Sequence, residues 1–409
     1  MLPSQYHFCT YFDRNYLTRG LVLYRSLARH FQHHFTLWVL CFDATTYQTL
    51  DRLHLPGVRL IALEQFEAGD SDLQRAKAER NLVEYYWTCT PSLPLYILNH
   101  NPEVHLITYL DADLCFYGDP LPIYAEMGDR SVLIVEHRYT SEHAHLAATS
   151  GIYNVGLLAF RRDDRGLACL HWWRDRCLEW CFTRCEDGKF GDQKYLDDWP
   201  QRFGGVVVLQ HKGAGLAPWN AAQYSVEWNE GRLTVDDAPL IFYHFHGFKN
   251  VARNAVQPAI HMYRLSPLLI EYIYFPYTHA LWEAERDIGV SASIMRYERN
   301  SGWLRLLPGL LEQRWLLVTS KRQALALWML GERQHDRILK GLDAYRQGDL
   351  PTARRLCFLA VLRNPFNLSV LSILARSTLK PGQISFLQHL RGVARSNQEG
   401  EKDAMPSHI

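Results

Sequence analysis

Two aspartates, Asp111 and Asp113, follow directly on an apolar run over residues 106–110. That run of apolar, β-branched and aromatic residues, with Asn101 and Pro102 ahead of it, predicts a buried strand. Side chains two residues apart on a strand share a face, so the two carboxylates can converge on one cation. Ligands of open α/β sheets gather at the C-terminal strand ends. Hard oxygen donors suit Mg²⁺ or Mn²⁺ held jointly with substrate phosphates. The stretch therefore reads as a divalent-metal and diphosphate site, the alternative being a pair of solvated turn aspartates. Asp119, just before Pro120, reads as turn chemistry.

Further along, a strand predicted over 240–243 opens into His244, Phe245, His246, Gly247, Phe248 and Lys249. Neutral imidazole is a good ligand for Mn²⁺-type ions and a lysine meets phosphate as a point charge, so this strand end complements the two aspartates. Asp192 and Gln193 set an acid beside an amide in the loop 188–193, at a helix start where N-capping is the alternative role for Asp192. Arg80, on a helix predicted over 73–88, suits a diphosphate because its planar fork binds oxyanions bidentately. Lys212 is the cation of the glycine-rich turn 211–215. His137, His143 and His145 are irregularly spaced in a predicted loop, which argues against a metal cluster there. Cys177, Cys181 and Cys185 share one helix face and read as core packing.

The elements that position these groups follow from periodicity. Residues 6–11 alternate as a strand does, and Leu17, Leu21, Tyr24, Leu27 and Ala28 recur at helical spacing. Strands over 37–42 and 58–63, with a helix over 47–53 between them, complete a β-α-β-α-β order. That order predicts an α/β fold with a parallel sheet and helices on both faces. After the aspartate strand come predicted strands over 131–136, 151–160 and 206–210, and an amphipathic helix over 167–184 carrying Trp172, Trp173 and Trp180. Gly151 and Gly156 either let a ligand approach the backbone closely or mark a bulge.

A chain of 409 residues, 47% hydrophobic and 21% charged, has an ordinary globular balance and room for two or three domains. Lys+Arg 44 against Asp+Glu 43 leaves +1, which offers no general attraction to nucleic acid. Nine cysteines without C-x-x-C pairs suggest neither a disulfide framework nor a zinc ribbon. The first residues have no signal-peptide pattern and no apolar run reaches membrane-spanning length, so the expected location is cytoplasmic.

With these motifs in place, residues 6–250 resemble the GT-A glycosyltransferases, most closely the retaining, metal-dependent enzymes of the glycogenin and bacterial lipopolysaccharide galactosyltransferase type. The carriers are Asp111-Ala112-Asp113, Asn154-Val155-Gly156, Gly191-Asp192-Gln193 and the segment 244–249. The resemblance implies a GT-A (Rossmann-like) mixed, mainly parallel sheet and a metal held by Asp111, Asp113 and His244, with His246 as competitor for the last place. It implies Mn²⁺ or Mg²⁺ as cofactor, a nucleotide-diphosphate sugar as donor, a glycan or lipid-linked acceptor, and Asp192 and Gln193 beside the donor's anomeric carbon. The family's lysine lies one residue further from its glycine than Lys249 does and is usually followed by Pro-Trp, whereas Asn250 and Val251 follow here. Thr10, Tyr11 and Asp13 at the end of the first strand, with Arg80, Ala112, Asn154, Lys212, Gly247 and Lys249, complete the candidate nucleotide-sugar set.

Sugar-nucleotide pyrophosphorylases share the sheet type, but they carry a glycine-rich loop after the first strand and residues 9–15 contain no glycine. Haloacid-dehalogenase phosphatases place Thr or Val two residues past the second aspartate, where Cys115 stands. A nucleotide-sugar-binding scaffold without catalysis is the non-enzymatic alternative. The expected domains are a catalytic 1–250, a helical 251–335, a tetratricopeptide-like 336–395 and a disordered tail 396–409. Residues 303–318 mix basic and aromatic side chains along a predicted helix, a candidate for peripheral membrane contact or for packing, and the later helices are a candidate docking surface for a protein partner.

Overall fold

The computed structural model describes residues 5–252, 255–260 and 262–289, and of the remainder 316–317, 340, 344, 347 and 349–361. The chain forms two compact units, Met1–Glu298 and Arg299–Ile409.

The first unit opens with β1 (Tyr6–Phe12), α1 (Leu17–His30), β2 (Phe35–Cys41), α2 (Ala44–Leu53) and β3 (Val58–Ala62). β1 and β2 pair in parallel from Tyr6↔Phe35 to Phe12↔Cys41, and β2 pairs in parallel with β3. Asp43 caps α2 by accepting from Thr46 N at 2.8 Å, and its other oxygen accepts from Arg14 N at 2.8 Å. One carboxylate thereby ties the β1–α1 loop to the next strand end.

α3 (Leu63–Glu67), α4 (Ser71–Glu79) and α5 (Leu82–His100) follow. The helix expected over 73–88 is broken, because Arg80 is extended and Asn81 starts a new helix with a reciprocal cap. Asn81 Oδ1 accepts from Glu84 N at 3.0 Å while Glu84 Oε2 accepts from Asn81 N at 3.1 Å. α5 then continues through Pro91 and Pro94.

Next come β4 (Leu106–Leu110), β5 (Leu114–Phe116), α6 (Leu121–Met127), β6 (Val132–Glu136), α7 (Leu146–Ser150), β7 (Tyr153–Arg161), α8 (Asp164–Glu179), α9 (Trp199–Arg202) and β8 (Val206–Val208). They complete a seven-stranded sheet of order β3-β2-β1-β4-β7-β6-β8. β7 runs antiparallel to β4 and β6, and the other neighbours are parallel. The fold is thus mixed α/β with a mainly parallel central sheet flanked by helices. α7 forms inside the stretch expected to be a loop, and α8 ends at Glu179 because Trp180 is extended. Cys177 and Cys181 are buried, as their packing role requires, while Cys185 is exposed.

The chain continues through β9 (Ala214–Leu216), β10 (Val226–Asn229), β11 (Arg232–Val235), β12 (Ala238–Pro239), β13 (Phe242–His244), β14 (Lys249–Ala252) and β15 (Ala255–Gln257). A small second sheet of order β5-β13-β9 lies beyond the end of β4. α10 (Pro267–Leu269) leads through a π turn, Ile270–Tyr274, into α11 (Phe275–Ile288). Pro276 occupies the first turn of α11, where its missing N–H is not needed. The Phe245 and Tyr277 rings stack with centroids 3.5 Å apart, and Arg25 Nη2 lies 2.7 Å from Asp287 Oδ2. These contacts seat α11 against the β13 loop and α1.

In the second unit a helix, Leu350–Val361, starts after Asp349, whose Oδ1 accepts from Thr352 N at 3.2 Å. Leu316–Leu317 is extended, where the sequence predicted helix. Most of the tetratricopeptide-like segment and the whole 396–409 tail lie outside the described residues. Among the described residues no helix is long and apolar enough to cross a membrane.

Candidate metal and donor site

β4 delivers Asp111, whose N–H donates to Gly156 O at 2.9 Å and so extends the pairing with β7. Asp111 O then accepts from Leu114 N at 3.2 Å, closing a tight turn through Ala112 and Asp113 into β5. β5 pairs antiparallel with β13, setting Leu114 opposite His244, and Phe245 N donates to Asp113 O at 3.0 Å. This backbone ladder brings residues distant in sequence to one point. His244 Nε2 lies 3.2 Å from Asp113 Oδ1 and 3.7 Å from Asp111 Oδ2. One ligand atom from each of the three lies within 4.8 Å of the others, the one such group found among the described residues. The side chain of His244 is 6% exposed and that of Asp111 30%, so the carboxylate side faces an opening.

Burial raises the Asp111 carboxyl to about 6; His244 opposes, the neighbouring Asp113 charge adds to the rise, and a 2.8 Å hydrogen bond from Tyr109 hydroxyl opposes it again. Burial also acts on Asp113, but the charge and hydrogen bond of His244, with help from His246 and Arg19, hold it down at about 2. Burial lowers the His244 imidazole, and Asp113 and Asp111 outweigh that and raise it. Two hard oxygens and one imidazole in a spot with surplus negative charge are a donor set that fits a divalent cation such as Mn²⁺.

Gly156 makes room for the ligand ring. A Cβ there would stand 2.8 Å from His244 Nδ1 and 2.5 Å from Asn154 Oδ1, the atom that accepts from Gly156 N at 2.8 Å. Gly156→Ala is expected to weaken Mn²⁺ binding about tenfold or more by displacing His244, measured by calorimetric titration. Undiminished affinity would show that His244 does not hold the ion.

Asp192 does not cap a helix, because the next turn, Lys194–Asp198, follows Gln193 without any side-chain cap. Trp173 Nε1 donates to Asp192 O at 2.8 Å, and Gly191 at φ +52° passes close to the Trp87 ring. These fix a buried carboxyl that burial pushes up to about 7, with a Thr90 hydrogen bond opposing and the Asp111 charge adding. Tyr11 feels both carboxylates, and its hydroxyl pairs with Thr90 Oγ1 at 2.9 Å. Gln193 Nε2 donates to Ser150 O at 2.7 Å and joins this loop to the end of α7.

Asp13 organises the β1–α1 turn, accepting from Asn15 N at 2.9 Å and from the Tyr86 hydroxyl at 3.2 Å. Thr10 is fully buried with its hydroxyl unpartnered, and Ala112 is buried between the two aspartates. His246 lies beside His244, their ring centroids 6.2 Å apart, and desolvation together with the His244 charge lowers its imidazole to about 4. Gly247 takes φ +74° against Ile260, and Lys249 is exposed on β14. Asn154 Nδ2 meets His137 Nε2 at 3.3 Å, His143 Nδ1 meets Thr140 Oγ1 at 2.8 Å, and His145 Nδ1 lies 3.2 Å from Glu142 O.

Two expected cations are engaged elsewhere. The Arg80 guanidinium is buried between α5 and α8, bonded to Thr88 Oγ1, to Cys177 O at 2.7 Å and to Leu178 O at 2.6 Å. It bridges helices and is not brought to the metal ligands. Lys212 pairs with Asp236 at 2.5 Å on the surface. Arg19, Tyr109 and Thr90 approach the site without having been singled out in the sequence. For Tyr109 a signal existed, since it is two residues before Asp111 on the same strand face.

No family model matches the sequence. Among solved structures, the chain aligns with galactosyltransferase LgtC in complex with donor and acceptor sugar analogs, at TM-score 0.43 and 15% identity over 68% of this chain and 95% of that one. It also aligns with glycosyltransferase GlyE of Streptococcus pneumoniae TIGR4, at TM-score 0.41 and 16% identity over 73% of this chain and 66% of that one. Among curated sequences, it is 36% identical to the uncharacterized protein YfnF of Bacillus subtilis (strain 168) over 257 residues, 61% of this chain and 84% of YfnF. It is 30% identical to the uncharacterized protein YfnD of the same organism over 276 residues, 67% of this chain and 88% of YfnD. With that identity across most of both relatives, the chain belongs to the family of YfnF and YfnD.

Proposed function

We propose that the chain is a retaining glycosyltransferase that binds a nucleoside diphosphate sugar with Mn²⁺ or Mg²⁺ and moves its hexose to a hydroxyl of a glycan or lipid-linked acceptor. The observation that carries this is the partly buried group Asp111, Asp113 and His244 beyond the C-terminal end of β4. A cation held there supplies Lewis-acid stabilisation to the leaving diphosphate. In the transfer, the bond between the anomeric carbon and the diphosphate oxygen breaks and its electron pair stays with the diphosphate. The acceptor oxygen bonds to that carbon and passes its proton to the departing diphosphate oxygen. In this reading Asp192, a buried carboxyl that feels the Asp111 charge, faces the resulting oxocarbenium character and its charge stabilises it. Gln193, pinned to Ser150 O, holds the loop that carries Asp192. Retention of configuration follows from the motif resemblance.

A panel of uridine and guanosine diphosphate sugars, each with and without Mn²⁺, tests the proposal by thermal shift and slow donor hydrolysis. Mn²⁺-dependent stabilisation and hydrolysis by at least one donor are expected, and no response to any of them would contradict it.

The charges at the site also set a pH dependence. Asp111 titrates at about 6 and His244 is raised, so protons compete with the cation at both. The unprotonated forms are the ligands, so Mn²⁺ affinity rises with pH through about 6 and drops about tenfold per unit below it for each competing proton. Calorimetric titrations between about pH 5 and 8 check this. A flat profile would contradict the ligand assignment.

A further inference from the structure

The first turn of α1 carries Arg19, and Arg19 Nη2 donates to Phe248 O at 2.8 Å in the loop that follows His244. Its guanidinium carbon lies 4.2 Å from the Tyr16 ring centroid and 5.9 Å from that of Phe248. The side chain is thus held between the β1–α1 turn and the loop after β13, on the two elements that frame the metal ligands. Phe248 N in turn donates to Phe245 O at 3.1 Å and Phe245 N to Asp113 O at 3.0 Å, so the loop that holds Arg19 is tied to the backbone of one of the metal ligands. Among the described residues no carboxylate comes within ion-pair distance of it, and Phe248 O is the one hydrogen-bond acceptor it meets. A half-buried guanidinium with open N–H donors beside a cation site suits an anion that the cation also binds.

The other candidate cations do not share this placement. Arg80 bridges α5 and α8, Lys212 pairs with Asp236, and Lys249 is exposed on β14, off the family's spacing. We propose that Arg19, in place of Lys249, is the residue that binds the donor's diphosphate beside Asp111, Asp113 and His244. This rests on the nucleotide-sugar reading above. Because the guanidinium is already held by Phe248 O and Tyr16, little side-chain freedom is left to lose when the diphosphate arrives.

The test uses the full chain and three variants, Arg19→Gln, Arg19→Lys and Lys249→Ala, titrated with UDP and GDP in Mn²⁺ and, separately, with Mn²⁺ alone. Arg19→Gln is expected to weaken diphosphate binding about thirtyfold, and Arg19→Lys about fivefold because the charge stays but the fork is lost. Lys249→Ala should lose less than about threefold, and Mn²⁺ alone should bind all variants alike. Diphosphate affinity of Arg19→Gln within about threefold of the unmodified chain, or a larger loss in Lys249→Ala, would overturn the assignment. If Arg19→Gln does not fold, Arg19→Lys decides, and unchanged diphosphate affinity there would overturn it. Failure of the unmodified chain to bind any diphosphate would instead sink the nucleotide-sugar reading itself.

Discussion

Asp113→Ala is expected to abolish transfer and Mn²⁺-dependent binding of nucleotide sugars while leaving the chain folded. The fold should survive because Asp113 holds its place through the backbone, its carbonyl accepting from Phe245 N at 3.0 Å, and that bond does not need the side chain. The site should not. The carboxylate is the nearer of the two oxygens to His244 Nε2, at 3.2 Å against 3.7 Å for Asp111, and it is the main influence raising the imidazole. Without it the cation keeps one carboxylate and a loosely placed imidazole. Metal stabilisation of a leaving oxyanion is worth several kcal/mol, so kcat/KM should fall by about a thousandfold or more. Metal-dependent nucleotide-sugar binding that persists in this variant would remove Asp113 from the ligand set. Thermal melting of the metal-free variant near that of the unmodified chain would confirm that the loss is local.

Asp192→Asn should separate catalysis from binding. Asparagine keeps the shape and a hydrogen-bonding oxygen for Thr90, but it deletes the charge that sits beside Asp111 and Tyr11. If that charge faces the developing oxocarbenium, turnover should fall about a hundredfold to a thousandfold, with donor affinity within about threefold. Burial and Asp111 raise this carboxyl to about 7, so its charged form is present above that pH and lost below it. Turnover by the unmodified chain should therefore rise with pH up to about 7, or somewhat lower once a cation offsets the Asp111 charge. The rise should vanish in the variant. A variant with full turnover and the same profile would show that Asp192 is structural.

The parts of this site that depend on local pattern were legible in the sequence. The alternation over β1 and the buried run of β4 follow from side-chain period, and the strand-end position of Asp111 and Asp113 follows from β4. Gly156 was visible as a place of close approach, although not what approaches it, because the His244 ring arrives from a strand far along the chain. The break at Arg80 carried its own signal, the spacing of Asn81 and Glu84 that forms a capping box. The fate of Arg80 did not, since its acceptors are the carbonyls at the end of α8, remote in sequence. Lys212 illustrates the same limit, its partner Asp236 lying 24 residues further on, in the turn between β11 and β12. Arg19 was passed over because it reads as one more polar position on an amphipathic helix. Only the loop after β13, folded back over α1, gives it a neighbour that carries chemistry.

Electron paramagnetic resonance titration of the full chain with Mn²⁺, alone and then with UDP or GDP, tests the three-ligand site most directly. One Mn²⁺ bound per chain is expected, with a spectrum that changes when a nucleoside diphosphate is added and with binding lost in Asp113→Ala. No bound Mn²⁺, or binding that is unaltered by replacing Asp113, would contradict the assignment of Asp111, Asp113 and His244 as its ligands.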